Sequence, residues 1–236
     1  MIPDDSVRTA SLCAALAEFD TPTVSNAIEG FTVRDRTKGY TSADIVCQYP
    51  DLPPMVGYAL TCTVDTTTPG PRRPTSLAEL IDALERAPKP AIIVCQYVGP
   101  NPRLGCLAGD MFATLLRRLG AIGIVTDAPN RDVLTIRERA PGFHLFGSGM
   151  VASHGNGSIG GVGSTVVVGG LTVRPGDLLH GDVSGVISVP LEIAGDVVAA
   201  AAKVRVDEQV IFDLMADSAA ELDVIKARFT YFDPHD

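Results

Sequence analysis

Apolar and polar residues follow two periods along the chain. Leu12, Leu16 and Phe19 recur at helical spacing, and Asp20-Thr21-Pro22 ends that helix before a second short one through Val24 and Ile28. Residues 31–54 carry charge, proline and glycine and read as a surface excursion. Tyr58, Leu60, Cys62 and Val64 then alternate with Ala59, Thr61 and Thr63, the period-two pattern of a half-buried strand. After a loop at 66–74, Ser76-x-x-Glu79 has the form of a capping box, with Leu77, Leu80, Ile81 and Leu84 on one helical face behind it. Pro88-Lys89-Pro90 breaks that helix, and Ala91 to Cys95 forms a short apolar strand.

The rhythm repeats. Gly109 to Leu119 predicts an amphipathic helix with Met111, Leu115, Leu116 and Leu119 as its apolar positions. Gly120 to Gly123 forms the turn, and Ile124 to Asp127 the next buried strand. Strand–helix–strand alternation of this kind predicts a layered α/β fold. From about residue 143 glycines separate short β-branched runs, Thr165 to Val168, Leu171 to Val173 and Val186 to Val189. Helical pattern returns from residue 191 to about 228. No composition break divides the chain, so residues 1–236 are expected to form a single domain.

Charge and cysteine usage narrow the function classes. A formal net charge of -9 argues against a nucleic-acid binder or an anionic membrane surface, while leaving room for a locally positive pocket. The start, Met1-Ile2-Pro3-Asp4-Asp5, lacks the basic and apolar regions of a secretory signal, and no apolar run reaches the length of a membrane span. Five scattered cysteines (13, 47, 62, 95, 106) contain no C-x-x-C pair and read as buried, reduced thiols of a cytoplasmic protein.

Several motifs fail on context. Gly155-Asn156-Gly157-Ser158-Ile159-Gly160 matches G-x-G-x-x-G, but a β-branched run follows it instead of the helix a pyrophosphate needs. His144, His154, His180 and His235 lack metal-ligand spacing. Neither a G-x-S-x-G elbow nor a P-loop is present.

The stretch from Gly109 to Asp132 is different. A helix opening at Gly109-Asp110 presents the backbone N–H groups of Asp110, Met111 and Phe112 to an anion. The following strand ends at Asp127, and Ala128-Pro129-Asn130 leads into Arg131-Asp132. At the edge where such loops meet, Arg131 suits a carboxylate and Asp132 a hard divalent cation. Together these describe a 2-oxo acid site. The same spacing also describes an ordinary surface Arg-Asp loop beside a helix capped by Asp110.

At these residues the chain resembles the RraA-like family. That family contains the 4-hydroxy-4-methyl-2-oxoglutarate/4-carboxy-4-hydroxy-2-oxoadipate aldolases and the regulator of ribonuclease E activity A. Some members formerly carried the name dimethylmenaquinone methyltransferase. The resemblance rests on Gly109-Asp110-x-x-Ala113-Thr114, Gly120-x-x-Gly123, Val125-x-Asp127 and Arg131-Asp132, with a second block at Gly169-Gly170 through Pro175-Gly176-Asp177 and Asp182-x-x-Gly185-Val186. It spans about residues 12 to 210, with a C-terminal helical extension over about 191–236. The turn Asp127-Ala128-Pro129-Asn130, the Val166-Val167 pair and the segment 31–54 with Arg34 and Arg36 depart from the family pattern.

The resemblance implies a three-layer β/β/α swivelling-type domain that assembles as a homotrimer or hexamer. It implies pyruvate held by the backbone of Gly109, Asp110, Met111 and Phe112 and by Arg131, with Mg²⁺ or Mn²⁺ at Asp132. A glutamate from a neighbouring subunit completes the family's site, and Glu208 is the candidate here, with Asp207 as its neighbour. The expected activity is a class II pyruvate aldolase cleaving a 4-hydroxy-2-oxo acid, with oxaloacetate decarboxylation as a related reaction. No lysine stands near the motifs to form a Schiff base, which favours metal chemistry. The alternatives are a related metal-dependent dehydratase or hydrolase of a hydroxy or sugar acid, and a non-catalytic regulator binding ribonuclease E. A methyltransferase would need a nucleoside pocket that the glycine motif does not supply.

Overall fold

The structure is a computed structural model that describes residues 5–71 and 74–228. The residues 1–4 read for a leader, and the end of the expected C-terminal extension at 229–236, lie outside them. In chain order the elements are α1 (Asp5–Leu16), α2 (Thr21–Glu29), β1 (Val46–Cys47), β2 (Met55–Asp65), α3 (Leu77–Arg86) and β3 (Ala91–Tyr97). A 3-10 turn at Pro102–Leu104 precedes α4 (Asp110–Arg118), β4 (Ala121–Thr126), α5 (Val133–Arg139) and β5 (His144–Gly147). Then come β6 (Ser158–Gly160), β7 (Val166–Val168), β8 (Leu171–Val173), β9 (Leu178–Asp182), β10 (Gly185–Val189), α6 (Ala194–Ala216) and α7 (Leu222–Arg228).

The main sheet runs β1-β5-β4-β3-β2-β9-β10, with β6 added on β2. Strands β2, β3, β4 and β5 are mutually parallel, whereas β1, β6, β9 and β10 pair antiparallel with their neighbours. Leu60, Cys62, Ile93, Cys95, Ile124 and Leu145 face the helical layer, where Leu80 and Leu84 of α3, Ala113 and Leu116 of α4 and Ile136 of α5 meet them. Further along, Val56, Tyr58, Leu178, Ile187 and Val189 receive Leu16, Val24, Ile28, Val197 and Ala201 of α1, α2 and α6. On the opposite face Ala59, Ile92, Val94, Val125 and Phe146 pack against Val166, Val168, Leu171 and Val173 of the β7–β8 hairpin. A mixed α/β domain layered β/β/α is the result, as the sequence pattern and resemblance predict.

Neighbouring segments alter several local expectations. Strand β2 is central and buried on both faces rather than half-buried, because the hairpin covers the side on which its small residues lie. Ser76 starts α3 without a side-chain capping bond. Its backbone N–H instead donates to Ile159 O at 2.9 Å, so β6 places this helix start. Met111 is 85% exposed, and the buried side chains of α4 are Ala113 and Leu116. The turn before β4 is confined to Gly120 at φ +90°, since Ala121 already lies in the strand. Segment 31–54 is more than an excursion: Val46-Cys47 pairs with β5, and Ile45, Cys47 and Tyr49 are buried. Arg34 fastens it to β10 through bonds from Nη1 to Ser188 O at 2.8 Å and Oγ at 2.9 Å. The glycine fingerprint ends in β6, antiparallel to β2, so no helix opens at its third glycine.

All five cysteines are buried and free, as expected. His180 is fully buried and joins the α1–α2 corner to β9, with Nδ1 2.9 Å from Thr21 Oγ1 and Nε2 3.2 Å from Leu16 O. His144, in β5, is 6% exposed, and its Nδ1 has no hydrogen-bond partner. Burial pushes its pKa down to about 4. The unfolded chain therefore binds a proton near pH 6.5 that the folded chain refuses until about pH 4. Stability should fall as pH drops through that window, by about 3 kcal/mol from this group. Urea denaturation of His144→Leu at pH 7 and pH 4.5 should show a smaller acid loss than the parent chain; an equal loss contradicts the assignment.

Candidate active site

Three loops leave the C-terminal ends of β3, β4 and β5 and meet at one edge of the sheet, where ligand sites of open α/β sheets form. Backbone bonds tie them together. Asn130 N–H donates to Gly149 O at 2.8 Å, Val151 N–H to Asn130 O at 2.9 Å and Ser148 N–H to Ala128 O at 3.1 Å. Asp127 Oδ1 accepts Tyr97 N–H at 2.6 Å, crossing from β4 to β3. Burial pushes the Asp127 carboxyl up, and the Tyr97 bond offsets part of that. The chain thus enters Arg131-Asp132 from a braced turn.

Asp132 adopts φ 54°, ψ 31°, the left-handed region, immediately before α5. Most residues resist this conformation; aspartate tolerates it better than most. The kink returns the carboxylate to the start of α4, where Oδ2 lies 3.4 Å from Asp110 N. Gly109 makes that approach possible, since a Cβ there would lie 2.6 Å from Asp132 Oδ2. The Asp132 Oδ1 atom accepts from Arg131 Nε at 3.3 Å, and both side chains are 30% exposed. No partner occupies the terminal amino groups of Arg131 among the described residues, so its fork remains open to a carboxylate.

The structure brings Gly109, Asp110, Met111, Phe112, Arg131 and Asp132 to one point, with one qualification about the amides. Two expected anion donors already have carboxylates: Asp110 N–H faces Asp132, and Met111 N–H donates to Asp110 Oδ1 at 2.8 Å. The Phe112 amide precedes the first intrahelical bond of α4, Ala113 N–H to Gly109 O at 3.0 Å. Arg139 of α5 stands 3.5 Å from Asp110 Oδ2, a cross-helix pair that no local spacing announces. Cys106, in the loop before α4, feels the charges of both Arg131 and Asp132, and burial pushes its thiol up to about 11.

Glu208 lies elsewhere in the single chain. It sits on α6 and accepts from Asn26 Nδ2 of α2 at 3.2 Å, while Asp207 pairs with Lys203. Among the described residues, no three His, Cys, Asp or Glu side chains converge into a closed metal cage. The Asp132 carboxylate, 30% exposed, fits a small hard cation that keeps most of its water and takes one or two carboxylates. A cleft of about 760 Å³ is lined by Asp44, Arg103, Asp127, Pro129 and Ser148, and Arg131 and Asp132 are not among its lining residues.

Residues 21–188 match the RraA-like family, described as Aldolase/RraA. The chain belongs to the RraA-like family. A Halalkalibacterium halodurans protein named "Putative 4-hydroxy-4-methyl-2-oxoglutarate aldolase" is 31% identical over 147 residues, covering 59% of this chain and 68% of that protein. Streptomyces coelicolor RraAS2, described as an unusual member of the RNase ES inhibitor RraA protein family, is similar with a TM-score of 0.65 and 25% identity, covering 88% of this chain and 98% of that one. An uncharacterized protein from Pseudomonas syringae shares the fold with a TM-score of 0.69 and 24% identity, covering 93% and 94%.

In this RraA-like chain the backbone at Asp132 can be separated from its carboxylate. Asp132→Gly and Asp132→Ala both remove the charge, but only alanine carries a left-handed steric cost. The glycine variant should be more stable than the alanine variant by about 1 kcal/mol in urea titrations. Equal stabilities would count against the observed turn.

Proposed function

We propose that this RraA-like chain is a divalent-metal-dependent lyase that splits a 4-hydroxy-2-oxo acid into pyruvate and a second carbonyl compound. The observation carrying this reading is the convergence of an open arginine fork, a helix start and an aspartate at one point, Arg131, Gly109–Phe112 and Asp132. Likeness to the H. halodurans protein, whose name specifies 4-hydroxy-4-methyl-2-oxoglutarate, supports that substrate as the first to test.

In this reading the Arg131 amino groups grip the substrate carboxylate and C2 oxygen, assisted by the first-turn amides of α4. Asp132 would hold Mg²⁺ or Mn²⁺, which when bound eases the negative charge developing at the C2 oxygen. As the C3–C4 bond breaks, its electron pair enters the enolate of pyruvate. The C4 hydroxyl loses its proton and C4 becomes a carbonyl, while C3 later takes a proton. Glu208 from a neighbouring copy, acting through water, is the group assigned to the hydroxyl proton. A second copy accords with the exposed apolar residues Met111, Leu134 and Met150 around the site. The same enolate chemistry extends to oxaloacetate decarboxylation.

Likeness to RraAS2 supports a second reading, a regulator that binds an RNase E-type ribonuclease. Capture of such a ribonuclease, together with no metal binding, favours it. Pyruvate release from 4-hydroxy-4-methyl-2-oxoglutarate and oxaloacetate separates the two. Chelation by EDTA should abolish release, and Arg131→Ala should lower kcat/KM by about 10²-fold or more, the cost of removing a charged anchor. Full activity in EDTA, or in Arg131→Ala, overturns the lyase reading.

A further inference from the structure

Tyr97 closes β3 and is 6% exposed, and its backbone and its hydroxyl reach toward different parts of the candidate site. A buried tyrosine hydroxyl requires hydrogen-bond partners, and here the location of those partners is informative. The hydroxyl accepts from Thr66 N–H at 3.2 Å and lies 3.2 Å from Thr66 Oγ1 and 2.7 Å from Thr67 Oγ1, in the loop after β2. Both threonines in turn accept backbone N–H groups from the loop that runs from β3 to α4. Thr66 Oγ1 accepts from Cys106 N–H at 3.3 Å, and Thr67 Oγ1 from Asn101 N–H at 3.1 Å. The Asp65 carboxylate fixes the threonine turn, accepting from Thr67 N–H and Thr68 N–H at 3.0 Å each.

The Tyr97 ring shapes the same β3–α4 loop. A Cβ on Gly105 would lie 2.1 Å from its Cε2, and one on Gly99 would lie 2.6 Å from its hydroxyl oxygen, so the loop backbone is pressed against the ring at both glycines. Regular structure in that loop is limited to the 3-10 turn at Pro102–Leu104. Its course therefore depends on the bonds to Thr66 and Thr67 and on the ring. Past Cys106, whose Sγ lies 3.2 Å from Ala108 O, the chain reaches Gly109 and the start of α4, where Asp132 stands.

In the other direction Tyr97 N–H donates to Asp127 Oδ1 at 2.6 Å, and Asp127 opens the turn that leads to Arg131-Asp132. One residue is thus tied through its backbone to the segment carrying Arg131 and through its hydroxyl to the loop carrying Gly109. We infer that the Tyr97 hydroxyl is a positioning group: it holds the start of α4 in alignment with Arg131 and Asp132, so that one substrate carboxylate meets the helix start and the arginine together. Tyr97 itself touches no substrate. This inference rests on the lyase reading and adds the residue that aligns the two halves of its site. Alignment of this kind matters because a misplacement of about 1 Å, caused far from the chemistry, can cost about 10²-fold.

Tyr97→Phe keeps the ring and the backbone bond and removes only the hydroxyl. The substrate carboxylate is held in ground and transition states alike, so its misalignment shows mainly in KM. With Mg²⁺ present, KM for 4-hydroxy-4-methyl-2-oxoglutarate should rise about ten-fold or more in Tyr97→Phe, while kcat falls less. A loss of folded protein alone would lower the apparent kcat and leave KM unchanged, so the split separates alignment from stability. Thr66→Val cuts the bond to Cys106 directly and should raise KM comparably. The double variant should add little to the larger single effect, because both changes interrupt one path. Hydrogen exchange at the amides of residues 105–113 should quicken in both single variants, with the β4 amides unchanged. An unchanged KM in Tyr97→Phe, full additivity in the double variant, or unaltered exchange overturns the alignment role and leaves the lyase reading standing. Failure of the parent chain to cleave either 4-hydroxy-4-methyl-2-oxoglutarate or oxaloacetate overturns the lyase reading and the alignment role together.

Discussion

Four parallel strands, β2 to β5, are buried on both faces, and this requirement organises the molecule. Parallel strands need crossover connections, and both of their surfaces must be removed from water. Helices α3, α4 and α5 supply the crossovers and cover one face. The β7–β8 hairpin covers the other, where a doubly wound fold would place a second layer of helices. Antiparallel β9 and β10 extend the sheet and give α1, α2 and α6 a surface of their own.

Covering the sheet in this way leaves one edge, the C-terminal ends of β3, β4 and β5, where loops are free to carry chemistry. There the left-handed turn at Asp132 brings two helix starts together. Two features sustain the contact: a glycine at 109, which leaves space for the carboxylate, and the braced turn from Asp127 to Asn130. In the single chain Asp132 and Asp110 face the α4 amides themselves, so an incoming anion must displace carboxylates that already satisfy those donors.

Membership of the RraA-like family sets the range of functions, and the lyase reading proposed within it rests on the local chemistry. An arginine with an open fork beside an aspartate has a direct use in stabilising an enolate, whereas a binding surface has no comparable need for that pair.

Periodicity and family motifs determined the α/β class, the two N-terminal helices and the β-rich segment after residue 143, and they singled out Arg131-Asp132 as the candidate site. These features were legible because amphipathic spacing and a contiguous motif are local properties of a chain. Ser76 as a true cap, Met111 as a core residue and β2 as a half-exposed strand were local inferences that tertiary neighbours overrode. Only the folded chain placed Asp132 against Gly109 and paired Arg139 with Asp110 across two helices. Those juxtapositions depend on where separate strands end in one sheet. Residues distant along the chain meet only after the sheet's register is established, and no local pattern records that meeting.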